Sequence, residues 1–212
     1  MCNKSLSSGI FPGRLKYAKI KPDCKKEDKL HTTNYRPISL WTSYSKSFKK
    51  LIYWRLYKHI CTMNILVEVQ YGFRIKSSTE AASYNVINKI YKAMDNRLSV
   101  GGTVYDLKKA SDCVNHGILV DKLEFYGISG KFLTLIQSYF REKYRKVLID
   151  KINAYDSVTS RWKKVTNAVP KGSVLGLLLF LIYINYLPNV TDNDAKVVLF
   201  SDGTSIIVTN SN

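Results

Sequence analysis

Residues 197–208 read Val197-Val198-Leu199-Phe200-Ser201-Asp202-Gly203-Thr204-Ser205-Ile206-Ile207-Val208. Two apolar, β-branched runs flank one Asp-Gly pair, and that is the strongest short-range signal for two antiparallel strands joined by a tight turn. A chain that contains it must build a sheet around it, and it must place the Asp202 carboxylate at the hairpin tip. A second carboxylate, Asp106, ends another strand-like run, Gly102-Thr103-Val104-Tyr105-Asp106-Leu107. Asp-Gly alone is an ordinary turn signal; two acids each closing a short strand suggest a site.

Charge narrows the class of partner. The 212 residues carry 33 Lys and Arg against 16 Asp and Glu, a formal net charge of +17, which favours nucleic acid first and an anionic membrane surface second. Residues 1–60 hold 14 of the basic residues and only 3 acidic ones, so the basic lobe is N-terminal. No run reaches six like charges, which reads as a folded basic face rather than a tail. The longest apolar run, residues 177–184, is far short of the ~20 residues of a bilayer span, so no membrane is expected and that run is a buried helix. Cys2, Cys24, Cys61 and Cys113 show neither a disulfide framework nor zinc spacing. His59 with Cys61 lacks a second half-site. Reduced thiols in an intracellular protein, cytoplasmic or nuclear and not secreted, are expected. The Lys108-Lys109 and Lys163-Lys164 pairs are too short for import signals.

Along the chain, residues 15–21 alternate as a short basic strand, and Pro37 holds residues 34–40 extended. The two make a hairpin suited to lie across a phosphate chain. Phe48, Leu51, Ile52, Leu56 and Ile60 recur at helical spacing, with Lys46, Lys49, Lys50, Arg55 and Lys58 expected on the outer surface. Gln70-Tyr71-Gly72-Phe73-Arg74 is a compact loop whose aromatics either stack on bases or pack inward. Ser78 or Thr79 caps a helix whose apolar face is Ala82, Val86, Ile90 and Ala93. Helices are expected over residues 118–126, closed by Gly127, and over 131–140. Strands follow at 145–150 and 157–166, then a turn at 169–173 and the buried helix 175–187. Helices and strands alternate without a repeat, which is an α+β pattern.

These motifs, in this order, resemble the reverse transcriptase domain of non-LTR (LINE-like) retrotransposons over nearly the whole chain. Asn34-Tyr35-Arg36-Pro37-Ile38-Ser39-Leu40 is similar to a fingers motif of that family. Gln70 to Arg74 with Ser78-Thr79 matches its next block. Asp106-Leu107-Lys108-Lys109-Ala110 resembles the first catalytic motif, residues 167–176 the motif that positions template and nucleotide, and Phe200-Ser201-Asp202-Gly203 the second catalytic motif. The resemblance implies an α+β fingers and palm, a right-hand polymerase lacking the thumb. Residues 1–100 would form the fingers with part of the palm, and residues 101–212 the palm, truncated after the catalytic hairpin. It implies two-metal nucleotidyl transfer with Mg²⁺, or Mn²⁺ in its place. Asp106 and Asp202 would be the catalytic metal ligands and the Leu107 carbonyl a further ligand. Arg36 and Lys16 would hold the triphosphate, and Ser111, Lys171 and Gly172 would line the nucleotide site. RNA template, DNA primer and deoxynucleotide triphosphates are the implied partners.

The chain departs from the family pattern where the chemistry is densest. The family has a second Asp where Gly203 stands, so one of three metal-binding carboxylates is missing, a loss of a few kcal/mol of transition-state stabilisation on the scale of single electrostatic groups. Ser111 stands where the family has Phe or Tyr, Ala168 for Gly, Lys171 for Gln, Leu177 for Pro, Tyr186 for Asp and Ser201 for Ala. Four readings remain: an impaired reverse transcriptase domain, a working RNA-directed DNA polymerase, a non-catalytic nucleic-acid-binding module, and a genomic relic with no selected role.

Overall fold

The computed structural model describes residues 2–24, 29–75, 77–107, 110–150, 157–170, 172–191 and 195–210. In chain order the helices are α1 (Cys2–Ser8), α2 (Ser43–Thr62), α3 (Thr79–Asp95), α4 (His116–Phe125), α5 (Gly130–Phe140) and α6 (Val174–Ile184). The strands are β1 (Tyr17–Cys24), β2 (Tyr35–Leu40), β3 (Ser99–Asp106), β4 (Lys143–Asp150), β5 (Ser157–Thr159), β6 (Lys163–Val165), β7 (Ala195–Phe200) and β8 (Gly203–Asn210). The chain divides into two compact units, residues 1–57 with 111–179 and residues 58–110 with 180–212.

The first unit is built on a five-stranded mixed sheet. β1 lies between β2, which it pairs antiparallel, and β4, which it pairs parallel. The expected basic hairpin is therefore present, with Lys19 opposite Leu40 and Asp23 opposite Arg36. The single strand expected over 157–166 is instead two short ones. β5 pairs Leu148–Asp150 and β6 pairs Lys143–Arg145, and three residues, Ser160 to Trp162, sit where β4 spends two. The extra residue makes a bulge, anchored where Ser160 exchanges hydrogen bonds with Val147. Alternation of residue types across 157–166 carries no mark of such a slip.

Behind the sheet, Phe11, Phe48 and Tyr139 pack ring to ring at 4.9–5.2 Å. Leu56 of α2, Leu119 and Leu123 of α4 and Leu135 of α5 are fully buried. One residue of α2 contradicts expectation: Lys49 is buried, not on the outer surface. Ser45, Lys49, Ile52 and Leu56 follow the i, i+4, i+7, i+11 progression of one helix stripe, and all four are buried. Position on the helix prevails over charge type.

The second unit holds a three-stranded antiparallel sheet in the order β3-β8-β7. α3 packs on it, capped by Ser78, whose hydroxyl accepts from the Ala81 amide. Val197, Val198, Leu199 and Ile207 of the sheet are buried, as are Ala82 and Ala93 of α3. Asn185, just past α6, is buried and spans a loop: its Oδ1 accepts from the Val67 amide at 3.0 Å and its Nδ2 donates to the Ile65 carbonyl at 2.8 Å. The buried helix expected to reach residue 187 ends at Ile184, and a 3₁₀ turn takes over at Leu187–Val190.

Candidate active site

β3 ends on Asp106, and its final residue pair in the sheet is Asp106 with Gly203, the first residue of β8. β7 ends on Phe200, which also faces Gly203. The hairpin turn is thus the pair Ser201-Asp202, one residue earlier than the Asp-Gly signal suggests. Ser201 adopts φ +60°, the positive φ that tight hairpin turns need at their first central residue and that Gly or Asn normally supplies. Gly203 is then free to be an ordinary strand residue.

This register brings the two predicted carboxylates to one end of the sheet. Asp202 sits on the exposed turn and Asp106 is exposed beside it. The Asp202 carbonyl accepts from the Leu107 amide at 3.3 Å, which ties the end of β3 to the hairpin tip. Gly203 lies directly opposite Asp106 with no carboxylate of its own. Among the described residues no three His, Cys, Asp or Glu side chains gather as a metal-binding group.

What holds the tip in place is the loop Gln70-Tyr71-Gly72. The Tyr71 amide donates to the Leu199 carbonyl and the Leu199 amide to the Val69 carbonyl, both at 2.8 Å, so the loop runs alongside β7 as a short parallel bridge. The buried Gln70 side chain then closes the turn: one oxygen, Oε1, accepts from the Gly72 amide at 2.7 Å and from the Ser201 amide at 3.2 Å. A Cβ on Gly72 would stand 1.9 Å from the Ser201 nitrogen. Gly72 is required because the hairpin backbone occupies the space a side chain would take. By sequence, the aromatics of this loop either stack on bases or pack inward. Phe73 is exposed and Tyr71 half-buried, but the function visible here belongs to Gln70 and Gly72. A polar residue two positions before a Gly, near a hairpin in space but not in sequence, carries no local signal.

The remaining predicted residues belong to the other unit. Arg36 is exposed on β2. Lys16 is buried, and desolvation lowers its pKa despite the opposing influence of Glu142. The Ser111 and Val114 carbonyls accept from the Val169 and Ala168 amides, each at 2.9 Å. Ala168 takes φ +86°, and its carbonyl is 2.8 Å from Nε2 of His116, which stacks on Phe140. Burial lowers the His116 pKa. Gly172, at φ +80°, lies against Ile38 and Ser39 of β2. Lys16, Ser39, Trp41, Asp112, Lys143 and Pro170 line a common cleft, so the stretches around Lys16, Arg36, Ser111 and Gly172 converge within that unit. Lys171 and the Lys108-Lys109 pair lie outside the described residues.

Residues 24–212 match the family model described as reverse transcriptase (RNA-dependent DNA polymerase). Among curated proteins, the RNA-directed DNA polymerase from mobile element jockey of Drosophila melanogaster is 28% identical over 97% of this chain and 22% of its own length. The probable RNA-directed DNA polymerase from transposon BS of the same organism is 31% identical over 88% of this chain and 20% of its own length. The chain spans about a fifth of the length of these relatives. Among solved structures, apo telomerase from Candida tropicalis superposes with a TM-score of 0.59 at 12% identity, covering 95% of this chain and 41% of that one. That likeness bears on the fold alone, and it agrees with an α+β fingers and palm. With the carboxylates at one sheet end and a family match over most of its length, this chain belongs to the reverse transcriptase (RNA-dependent DNA polymerase) family.

Proposed function

We propose that the chain carries the nucleotidyl-transfer site of an RNA-directed DNA polymerase in a catalytically impaired form. The observation that supports this most is the register of β3 on β8: Asp106 faces Gly203, so the third acidic position of the motif is neutral at the sheet end that presents Asp202. Two exposed carboxylates suit Mg²⁺, which keeps several waters and takes one or two protein carboxylates together with substrate phosphates. Asp106 and Asp202 would hold it, with Mn²⁺ as the substitute and the Leu107 carbonyl as a further oxygen donor. When bound, the divalent ion supplies charge neutralisation for the attacking 3′-hydroxyl and the leaving pyrophosphate. The chain's own residues do the rest. Arg36 and Lys16 clamp the triphosphate, while Ser111, Lys171 and Gly172 line the nucleotide site. Gln70 fixes the turn that aims Asp202. Residues 1–100 would serve as fingers with part of the palm and residues 101–212 as palm. RNA template, DNA primer and deoxynucleotide triphosphates are the partners this reading requires. Among the described residues no helix is long and apolar enough to cross a membrane.

Primer extension on an RNA template, in Mg²⁺ and in Mn²⁺, tests the reading. The native chain is expected to be silent or weak, and Gly203→Asp to raise extension by about 10²–10³-fold, the scale of one preorganised electrostatic group. A Cβ at Gly203 comes to 3.3 Å of the Phe200 carbonyl, so the substitution requires that oxygen to give way by a few tenths of an ångström. Robust extension by the native chain that Asp106→Ala abolishes would show that two carboxylates suffice, and the impairment would be refuted. The net charge of +17 supports a second reading, nucleic-acid binding without catalysis. In that case all variants stay silent while binding falls steeply with salt.

A further inference from the structure

One face of the five-stranded sheet carries an aromatic cluster that the nucleotidyl-transfer reading does not use. In the sheet register Tyr17 of β1 faces Tyr144 of β4, and Tyr144 faces Lys164 of β6. The Tyr17 and Tyr144 rings stack at 5.4 Å and 14°. The bulge between β5 and β6 delivers Trp162 edge-on to Tyr17, at 5.0 Å and 85°. Tyr17 is 45% exposed and Trp162 44%, a large aromatic surface to leave in water. It is not held there by the core: the alternate residues Ala18 and Ile20 of β1 are the buried ones.

The surroundings are cationic. Lys146 places its Nζ 5.0 Å from the Trp162 ring centroid. Lys19 is the register partner of Lys146, and Lys164 stands beside Tyr144. Lys21 and Arg36 continue the same face toward the β1–β2 loop. Asp150, which pairs with Lys21 at 2.7 Å, and Asp23, opposite Arg36, are the acids on it. Five cations against two carboxylates surround a stack of three rings. Such a surface complements a polyanion that also presents flat, stackable groups. A phosphate-rich lipid surface has the charge without the rings. A duplex has both but keeps its bases stacked on each other.

We propose that this face, centred on Tyr17, Tyr144 and Trp162, binds single-stranded nucleic acid, with bases stacking on the rings and Lys19, Lys146 and Lys164 contacting phosphates. This shares the nucleic-acid reading of the preceding subsection but none of its metal chemistry, so the two fail separately. The bulge has a function in this scheme, since it re-aims Trp162 across β4 onto β1.

The test is anisotropy titration of a labelled oligouridine of about 15 nucleotides, within the span of single-strand site sizes, with the whole chain in EDTA. A duplex of equal length and phosphatidylserine vesicles run in parallel. Trp162→Ala is expected to weaken single-strand binding about tenfold and Trp162→Phe to restore most of it. Trp54→Ala, removing an indole of similar exposure on α2, leaves binding unchanged. Lys146→Gln, which spares the aromatic stack, reduces the salt slope by about one. Equal behaviour of the Trp162→Ala and Trp54→Ala chains overturns the proposal. So does an equal loss on duplex, or a loss confined to vesicles. Silence in primer extension leaves these outcomes untouched, because EDTA removes the metal in advance.

Discussion

The hairpin socket of the second unit and the interior of the first both bury polar groups, and they satisfy them to different degrees. At the socket, the buried Gln70 carbonyl oxygen takes two backbone amides, and the Tyr71 and Leu199 amides find carbonyls across the bridge. In the first unit, Lys49 and Lys143 are buried within the same core as Tyr139 and Trp41, and the Nζ of each lysine, the Tyr139 hydroxyl and the Trp41 Nε1 have no hydrogen-bond partner. The lysines rest against rings instead: Lys49 over Trp41, Lys143 4.0 Å above Tyr139. The hairpin tip is braced through its backbone amides, with Gln70 Nε2 the one socket group left unpartnered among those named, whereas the first unit buries two lysine amines with no hydrogen-bond acceptor. Bracing of a site and neutralisation of an interior are therefore separable properties of one sequence.

The sharpest way to break the braced side is Gly72→Ala. Its Cβ would overlap the Ser201 nitrogen, and both neighbours are backbone, so the loop or the hairpin must move. A loss of about 3 kcal/mol or more is expected, the range of severe overpacking. Urea unfolding of the full chain measures it. A loss under 1 kcal/mol would mean that the bridge between the loop and β7 is dispensable.

The unbraced side responds with the opposite sign. Burial, and then the charge of Lys143, pushes the Lys49 pKa down to about 5, and burial pushes Lys143 down to about 7. An unfolded lysine titrates near 10.4. Between those values the unfolded chain binds more protons than the folded one, so stability rises with pH from about 5 for Lys49 and from about 7 for Lys143, until the unfolded pKa is reached. The gain approaches ~1.4 kcal/mol per pH unit for each lysine. Lys49→Met keeps the stem's volume, removes the buried amine, and is expected to stabilise the chain at pH 7 by about 2 kcal/mol. It should also flatten the slope between pH 5 and 7, leaving there the smaller part that the lowered pKa of His116 contributes. Denaturation midpoints across pH 5–9 decide; an unchanged slope would show that Lys49 reaches water in solution.

These contrasts explain what the sequence could disclose. Elements marked by periodicity or punctuation were legible: the 197–208 hairpin, the Ser78 cap, Gly127 closing α4, Pro37 in β2. Asp106 and Asp202 were legible as candidates because each follows a strand-like apolar run, and the pairing of Asp106 with Gly203 follows once β3 meets β8. Three features resisted for a common reason. Lys49 reads as a surface residue unless the inward stripe of α2 is known. The Ser201-Asp202 turn reads as Asp202-Gly203 unless the register is known. Gln70 reads as loop filler until β7 lies beside it. Each depends on a partner distant in sequence, and single-residue preference cannot contain that partner.

Ala168 provides the smallest and most discriminating contrast. Its φ of +86° lies where L residues are strained by about 1–2 kcal/mol, yet its amide bonds to the Val114 carbonyl and its own carbonyl to His116, which lock the conformation. Replacing Ala by Gly ordinarily destabilises, because Gly adds entropy to the unfolded chain by about 0.4–1 kcal/mol. At Ala168 the relief of strain opposes that term and the loss of one buried methyl, so Ala168→Gly is expected to lie between neutral and about 0.5 kcal/mol stabilising. Ala93→Gly, in the ordinary helical backbone of α3 and equally buried, should lose about 1 kcal/mol. Paired unfolding curves on the two variants compare the same atoms removed from two backbones. If both lose alike, Ala168 is not strained in solution, and the first unit's internal conflict lies in its unpartnered buried groups, Lys49 and Lys143 foremost. If only Ala93→Gly loses, the first unit carries backbone strain as well as charge, on the segment that the nucleotide reading places beside Gly172.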